Sequence, residues 1–314
     1  MCATGARSRI RGFVRQAALR AHRRGASWYR RRVNLGKNEA HARESGAPVP
    51  QLGTVERWAF DYVTTCDLAQ KLAPLAPPRE WETSAHSRRI ARPGRPASLV
   101  VVDRARKSPS AGALRDPARR AELVHTFFHH ELQAAELMCW ALLAFPDAPH
   151  ALRRGLLAIC QDEIRHMEMY GNHLASLGYR FGQFEVHDWF WERVPGATCI
   201  EDYLATMGVG LEGGNLDHAS RFAARFRAAG DAVGAAMQEA IAEEEIPHVR
   251  FALHWLRELT GGLDFDAWRA RLPMPLSPRI MRGSPINTKD RRRAGFDDIF
   301  LERLEQWGDA TRGS

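Results

Sequence analysis

The sequence predicts an all-α protein built on four long helices, paired as two antiparallel hairpins with a long crossover between them. Three observations carry this. Residues 117–259 keep a helical apolar period that stops only at proline or glycine clusters. Those stops cut the stretch into four segments of similar length, with a short link inside each pair and a link of about twenty residues between the pairs. The second segment of each pair also carries a copy of one pattern: Asp162-Glu163-Ile164-Arg165-His166 and Glu244-Glu245-Ile246-Pro247-His248.

The chain is long enough, at 314 residues, for a sizeable core, and its formal charge is +8. That charge is localised. Before the first acidic residue, Glu39, stand ten arginines and Lys37; the rest of the chain holds 34 basic against 37 acidic residues. Residues 1–50 are therefore expected to form an Arg-rich tail, disordered or a surface helix. Nucleic acid enters as a partner only through that tail. Residues 51–116 read as a wrapping segment: helical spacing over 54–73, then loops punctuated by Pro74, Pro77, Pro78, Pro93, Pro96 and Pro109.

Asp116-Pro117, an N-cap followed by proline at the first helical position, opens helix 1 over 117–144, which ends before Pro146-Asp147-Ala148-Pro149. Helix 2 runs over 150–177 to Gly178, helix 3 over 200–229 to Gly230, and helix 4 over 232–259 to Gly261-Gly262. The bundle so defined spans 117–260. The extension over 261–314 carries short helices near 264–272 and 296–307. Five cysteines without a C-x-x-C pair indicate neither a disulfide framework nor a zinc knuckle. No apolar run reaches the length of a membrane span and no secretory signal is visible, so a cytoplasmic protein is expected.

The repeated Glu-x-x-His carries the chemistry. Glutamate and histidine at i, i+3 lie on one helix face about 4.5 Å apart in rise, so both can bind one metal ion. A four-helix dimetal site also needs a carboxylate from each partner helix at the same height. Residues equidistant from a hairpin turn face one another. Across the turn at Asp147, Glu163 meets Glu131; across the turn at Ala228–Ala229, Glu245 meets Glu212. Glu136 is the alternative to Glu131, but it lies five residues nearer the turn and about 140° around the helix. Glu131, Glu163, His166, Glu212, Glu245 and His248 all fall on apolar stripes, where an unpaired carboxylate would cost several kcal/mol.

Oxygen and imidazole donors favour two iron ions, with manganese or a mixed Fe/Mn pair as the other choices, and O2 as co-substrate. Asp162 and Glu244 are placed to accept from the outer ring nitrogens of the ligand histidines. Tyr170, one turn past His166, is either a core tyrosine or a donor near the metals. Pro247 should kink or bulge helix 4 at the ligand turn. Gly208, Gly210, Gly213 and Gly214 around Glu212 point either to a widened turn or to close helix packing.

His129-His130-Glu131-Leu132-Gln133-Ala134-Ala135-Glu136-Leu137, the two repeated patterns, Pro93-Gly94-Arg95-Pro96, Pro275-Leu276-Ser277-Pro278-Arg279 and Arg291-Arg292-Arg293-Ala294-Gly295 resemble a bacterial ferritin-like (di-iron carboxylate) family of unassigned function, over about residues 52–308. The resemblance implies a ferritin-like bundle, distantly similar to ribonucleotide reductase small subunits, rubrerythrins and tRNA hydroxylases. It also implies pocket roles for His187 and Trp191. The family's usual Ala-Arg-Gly after Glu212 is replaced here by Gly213-Gly214-Asn215.

The leading expectation is an O2-dependent oxidoreductase, with a small-molecule substrate and an electron donor that the sequence does not identify, acting as a monomer or homodimer. Two alternatives are an iron-binding ferroxidase without organic substrate and an RNA-modifying enzyme recruited through the tail.

Overall fold

The computed structural model describes residues 47–84, 86–104 and 108–308. The expected tail lies, up to residue 46, outside the described residues. Within them the chain is helix and loop, with isolated bridges at Thr54–Glu80 and Val101–Val186 and no strand.

Helix α1 (Val55–Thr64) is capped by Thr54, whose hydroxyl accepts from Arg57 N. It is separated from α2 (Leu68–Leu72) by Thr65-Cys66-Asp67, where Asp67 caps the second helix. Helical spacing over 54–73 thus divides in two, because the Asp67 side chain starts a new N-terminus in mid-pattern. The following loops hold to the core by backbone bonds, Arg88 N to Leu143 O (2.7 Å) and Gly94 N to Val63 O (2.8 Å). A Cβ on Gly94 would stand 2.2 Å from Thr64 O, so only glycine permits that approach.

Helix α3 (Pro117–Ala144) starts at Pro117 with the Asp116 carboxylate accepting from Ala118 N. Helix α4 is His150–Ser176. After the crossover the chain forms a short α5 (Ile200–Tyr203), a π-helical stretch over Leu204–Glu212, and α6 (Gly213–Ala228). Helix α7 (Ala232–Thr260) begins at the Asp231 cap and ends at Gly261, whose φ of 72° is the left-handed C-terminal conformation that favours glycine. Helix α3 packs on α4, α6 on α7, and α4 on α7; α1 covers α3. Pro247 lies inside an α7 that stays α-helical throughout, so the bulge expected there is absent. The widened turn is instead in the π-helical stretch that ends at Glu212.

Both readings of the glycine cluster hold. A Cβ on Gly208 would meet Ala252 Cβ at 2.3 Å, so α7 packs directly against the widened backbone. On Gly214 it would stand 3.2 Å from Met281 O. The C-terminal extension thus occupies the space a longer side chain at residue 214 would need.

The extension forms α8 (Phe265–Ala270), α9 (Thr288–Ala294) and α10 (Asp298–Gln306). It is pinned to α6 by a buried ion pair. The Arg291 guanidinium donates to both oxygens of Asp217 (2.9 and 2.8 Å), which also accept from Gly283 N and Asn287 N. Cys139 and Cys160, distant in sequence, meet in the core with their sulfurs 3.4 Å apart as free thiols. No helix among the described residues is long and apolar enough to cross a membrane.

Candidate metal centre

Four helices bring their acidic and imidazole groups to one buried level. Glu131 comes from α3, Glu163 and His166 from α4, Glu212 from the end of the π-helical stretch, and Glu245 and His248 from α7. Glu163, His166 and Glu245 have no solvent exposure, and the other three are also buried. Ligand-capable atoms of Glu131, Glu163, His166 and Glu245 lie within 4.8 Å of one another.

The contacts have a two-fold pattern. His166 Nδ1 is 3.2 Å from Glu163 Oε2 and 3.6 Å from Glu245 Oε1. His248 Nδ1 is 3.2 Å from Glu163 Oε1 and 3.1 Å from Glu245 Oε2. Glu163 and Glu245 therefore each turn one oxygen to each histidine, the arrangement of two carboxylates shared between two positions. Glu131 stands on the His166 side, with Oε2 at 3.7 Å from Nδ1. Glu212 shares its electrostatic surroundings with Glu245, Glu163, Glu131 and His248, and its Oε1 is buried without a hydrogen-bond partner.

The outer ring nitrogens are taken by the acids that precede the ligand glutamates, and the pairing crosses between helices. His166 Nε2 is 2.9 Å from Glu244 Oε2, and His248 Nε2 is 3.2 Å from Asp162 Oδ2. Arg165 donates to both acids and so ties α4 to α7 above the site. These contacts fix which nitrogen of each histidine faces inward.

The electrostatics are those of a site short of cations. Burial pushes the Glu131 and Glu212 carboxyls well above the usual carboxylate range, and neighbouring glutamates add to the shift. Burial also opposes charge on the histidines, but the surrounding carboxylates outweigh it. The His166 imidazole is pushed up to about 12, and His248 is raised strongly by Glu245, Asp162 and Glu163. The two histidines in turn outweigh burial at Glu163 and hold its carboxyl far below its ordinary value.

Without metal, the imidazoles of His166 and His248 are held in their protonated form by the carboxylates around them, and burial keeps Glu131 and Glu212 from ionising. Fully deprotonated, the set carries four negative charges. Two divalent cations would balance that charge, and a set of oxygen and nitrogen donors of this kind suits a metal such as iron or manganese. The residues present fit a dimetal group.

A cavity of about 420 Å³ reaches this level at Glu131 and Glu212. Tyr170 lines it; the hydroxyl is buried and accepts from Gln238 Nε2 at 2.8 Å. His187 lines it too, with Nε2 3.1 Å from Glu192 Oε1. Trp191 does not: its indole N–H donates to Glu136 Oε2 at 2.9 Å.

Glu136, the alternative ligand, is also accounted for elsewhere. It lies fully buried between Lys71 Nζ (2.6 Å) and Arg95 Nη1 (2.5 Å). The network continues through Arg95 to Asp188 (2.9 Å) and on to His129 Nε2 (2.9 Å) at the cavity wall. Lys71 and Arg95 lie 65 and 41 residues from Glu136 in the chain, so no local spacing announces this network. Its sequence signal is a glutamate on a different face of the helix from Glu131, one turn after Gln133 and two after His129.

Comparison with known proteins places the chain in a family. A family profile described as a protein of unknown function (DUF455) matches residues 59–302, and the chain belongs to that family. It is 29% identical over 192 residues to an uncharacterized protein of Haemophilus influenzae, covering 58% of this chain and 66% of that one. The chain thus spans just under two thirds of that relative's length. No solved structure matches.

Proposed function

We propose that this member of the DUF455 family is a ferritin-like, non-haem dimetal oxidoreductase that uses O2 to oxidise or hydroxylate an organic substrate. The metal would be two iron ions, with manganese or a mixed pair as the other fits to the same donors. The observation that carries the reading is the pair of carboxylates, Glu163 and Glu245, each offering one oxygen to the position beside each histidine.

Bound there, two metal ions would supply the reduction of O2. The chain's own residues do the rest. Glu131 and Glu212 line the cavity and would hold the metal ions from the side that faces substrate, and the π-helical stretch gives Glu212 a backbone less confined than an α-helix. Asp162, Glu244 and Arg165 keep both imidazoles oriented. The buried Tyr170 hydroxyl, oriented by Gln238, is a proton donor or acceptor on the cavity wall. Aromatic side chains of Phe127, Phe190 and Phe222 line the same space and keep water out.

The cavity favours this reading over a ferroxidase without organic substrate, because storage needs an ion path and not a chamber of this volume. Purified protein should contain about two iron ions per chain and consume O2 once reduced. Iron loading left unchanged by Glu131→Ala and Glu245→Ala would overturn the reading.

A further inference from the structure

The cavity wall carries one cation that the metal chemistry does not use. Arg221, on α6, is the single lysine or arginine among the described residues lining it. Its only hydrogen bond there is from Nη2 to His218 Nδ1, at 2.6 Å, a neutral acceptor. The Nε atom is buried without a partner.

One turn further along α6, Arg225 lies over the same ring: the two guanidinium carbons are 5.5 and 5.3 Å from the Phe222 centroid. Among the described residues neither arginine forms an ion pair. The more deeply buried Arg291, Arg153, Arg88 and Arg95 each meet a carboxylate within 3 Å. An unpartnered Nε is not peculiar to Arg221, since Arg120, Arg153 and Arg282 share it; what sets Arg221 apart is its place on the cavity wall without an ion pair among the described residues. Burial and the neighbouring Arg225 charge act against the Arg221 cation, and Asp217, whose two oxygens are already held by Arg291, only partly offsets them. A partly buried guanidinium with a vacant donor and a like charge beside it lacks an anion.

We infer that Arg221 is the anchor for an anionic group of the substrate, and that the cavity takes an amphipathic organic anion, a carboxylate or phosphate ester with an apolar body. This rests on the dimetal reading for the reaction but not for the binding.

Phe127, Phe190 and Phe222 line the same cavity and suit a hydrocarbon or ring, beside a polar portion of the wall that includes Glu122, Glu185 and Asn215. Glu212 and Arg221 line one cavity, so a ligand held by Arg221 shares its space with the carboxylate cluster, and eight-carbon amphiphiles are suitable probes of it.

The test is calorimetric titration of the full-length protein, metal-free and iron-loaded, with octanoate, octyl phosphate, 1-octanol and octylamine. The expected result is that octanoate or octyl phosphate binds about tenfold or more tightly than the alcohol and the amine. The tighter of the two anions assigns carboxylate or phosphate. Arg221→Gln should bring the anions down to the level of 1-octanol, with Arg221→Lys in between, since a lysine keeps the charge and loses the planar fork.

Equal binding of 1-octanol or octylamine, failure of both anions to bind, or an anion preference unchanged in Arg221→Gln would overturn the inference. A protein that retains the Arg221-dependent preference but takes up no iron would instead overturn the dimetal reading alone.

Discussion

Metal uptake by the metal-free chain should expel protons, and the structure sets how many. Two imidazoliums, His166 and His248, must lose the proton on the nitrogen that faces the glutamates, and two carboxylic acids, Glu131 and Glu212, must ionise. Binding of the pair of divalent ions therefore releases about four protons near neutral pH. By linkage, the affinity for the pair rises by about four powers of ten per pH unit, or about 5 kcal/mol, while all four groups remain protonated without metal. Anaerobic titration of metal-free protein with Fe(II) or Mn(II), in weak buffer with a pH-stat, counts the protons directly. Release of one proton or none per pair, or an affinity independent of pH, would refute the charge-replacement argument.

Stability should follow the same protons. The metal-free native state holds protons on Glu131 and Glu212 above an ordinary value of 4.5, and on His166 and His248 above 6.5, where the unfolded chain has released them. The histidine contribution is fully present below the unfolded pKa and is lost as pH rises toward about 12; the raised carboxyls act with the same sign. The Tm of metal-free protein should therefore fall between pH 6 and pH 9 by more than that of loaded protein, and a flat or rising metal-free curve would contradict this.

Glu136→Ala should cost about 3–5 kcal/mol in denaturant unfolding, because it strands Lys71 and Arg95 in the core. The folded fraction should still bind two metal ions, whereas Glu131→Gln should lower metal affinity with little loss of stability. Asp162→Asn and Glu244→Gln should each weaken metal binding about 10- to 100-fold in competition with a chelator, by loosening the histidine each one orients.

Much of the scaffold was legible because its signals are local. Asp116-Pro117 and Pro146 bound α3 at Pro117 and Ala144, as the sequence predicts, and Gly261 ends α7 one residue past the expected Leu259. The ligand heights followed from counting across two turns, since antiparallel helices keep register over a few turns. The repeated acidic residues Asp162 and Glu244 were legible as partners for the histidines, but not that each serves the histidine of the other helix. That depends on how α4 and α7 are rotated against each other, which no spacing within one helix states.

Pro247 misled. The loss of one N–H is absorbed in a helix held by packing on both sides, and the widening appears instead at the glycine-rich segment opposite it. Helix α9 was missed because Pro285 and the arginine run mask it; its signals were the Asn287 cap, with Asp290 three residues on, and Gly295, which has a φ of 108°. Arg221 gave no sign of its position, since arginine on an amphipathic helix ordinarily faces solvent.

The central claim is that Glu163 and Glu245 are shared between two metal ions. Anomalous diffraction from crystals of iron-loaded protein, with data on both sides of the iron absorption edge, tests it most directly. The account predicts two peaks per chain, one beside His166 Nδ1 and Glu131 and one beside His248 Nδ1 and Glu212, with both Glu163 and Glu245 contacting each. A single peak, no peak, or two ions that share neither carboxylate would contradict it.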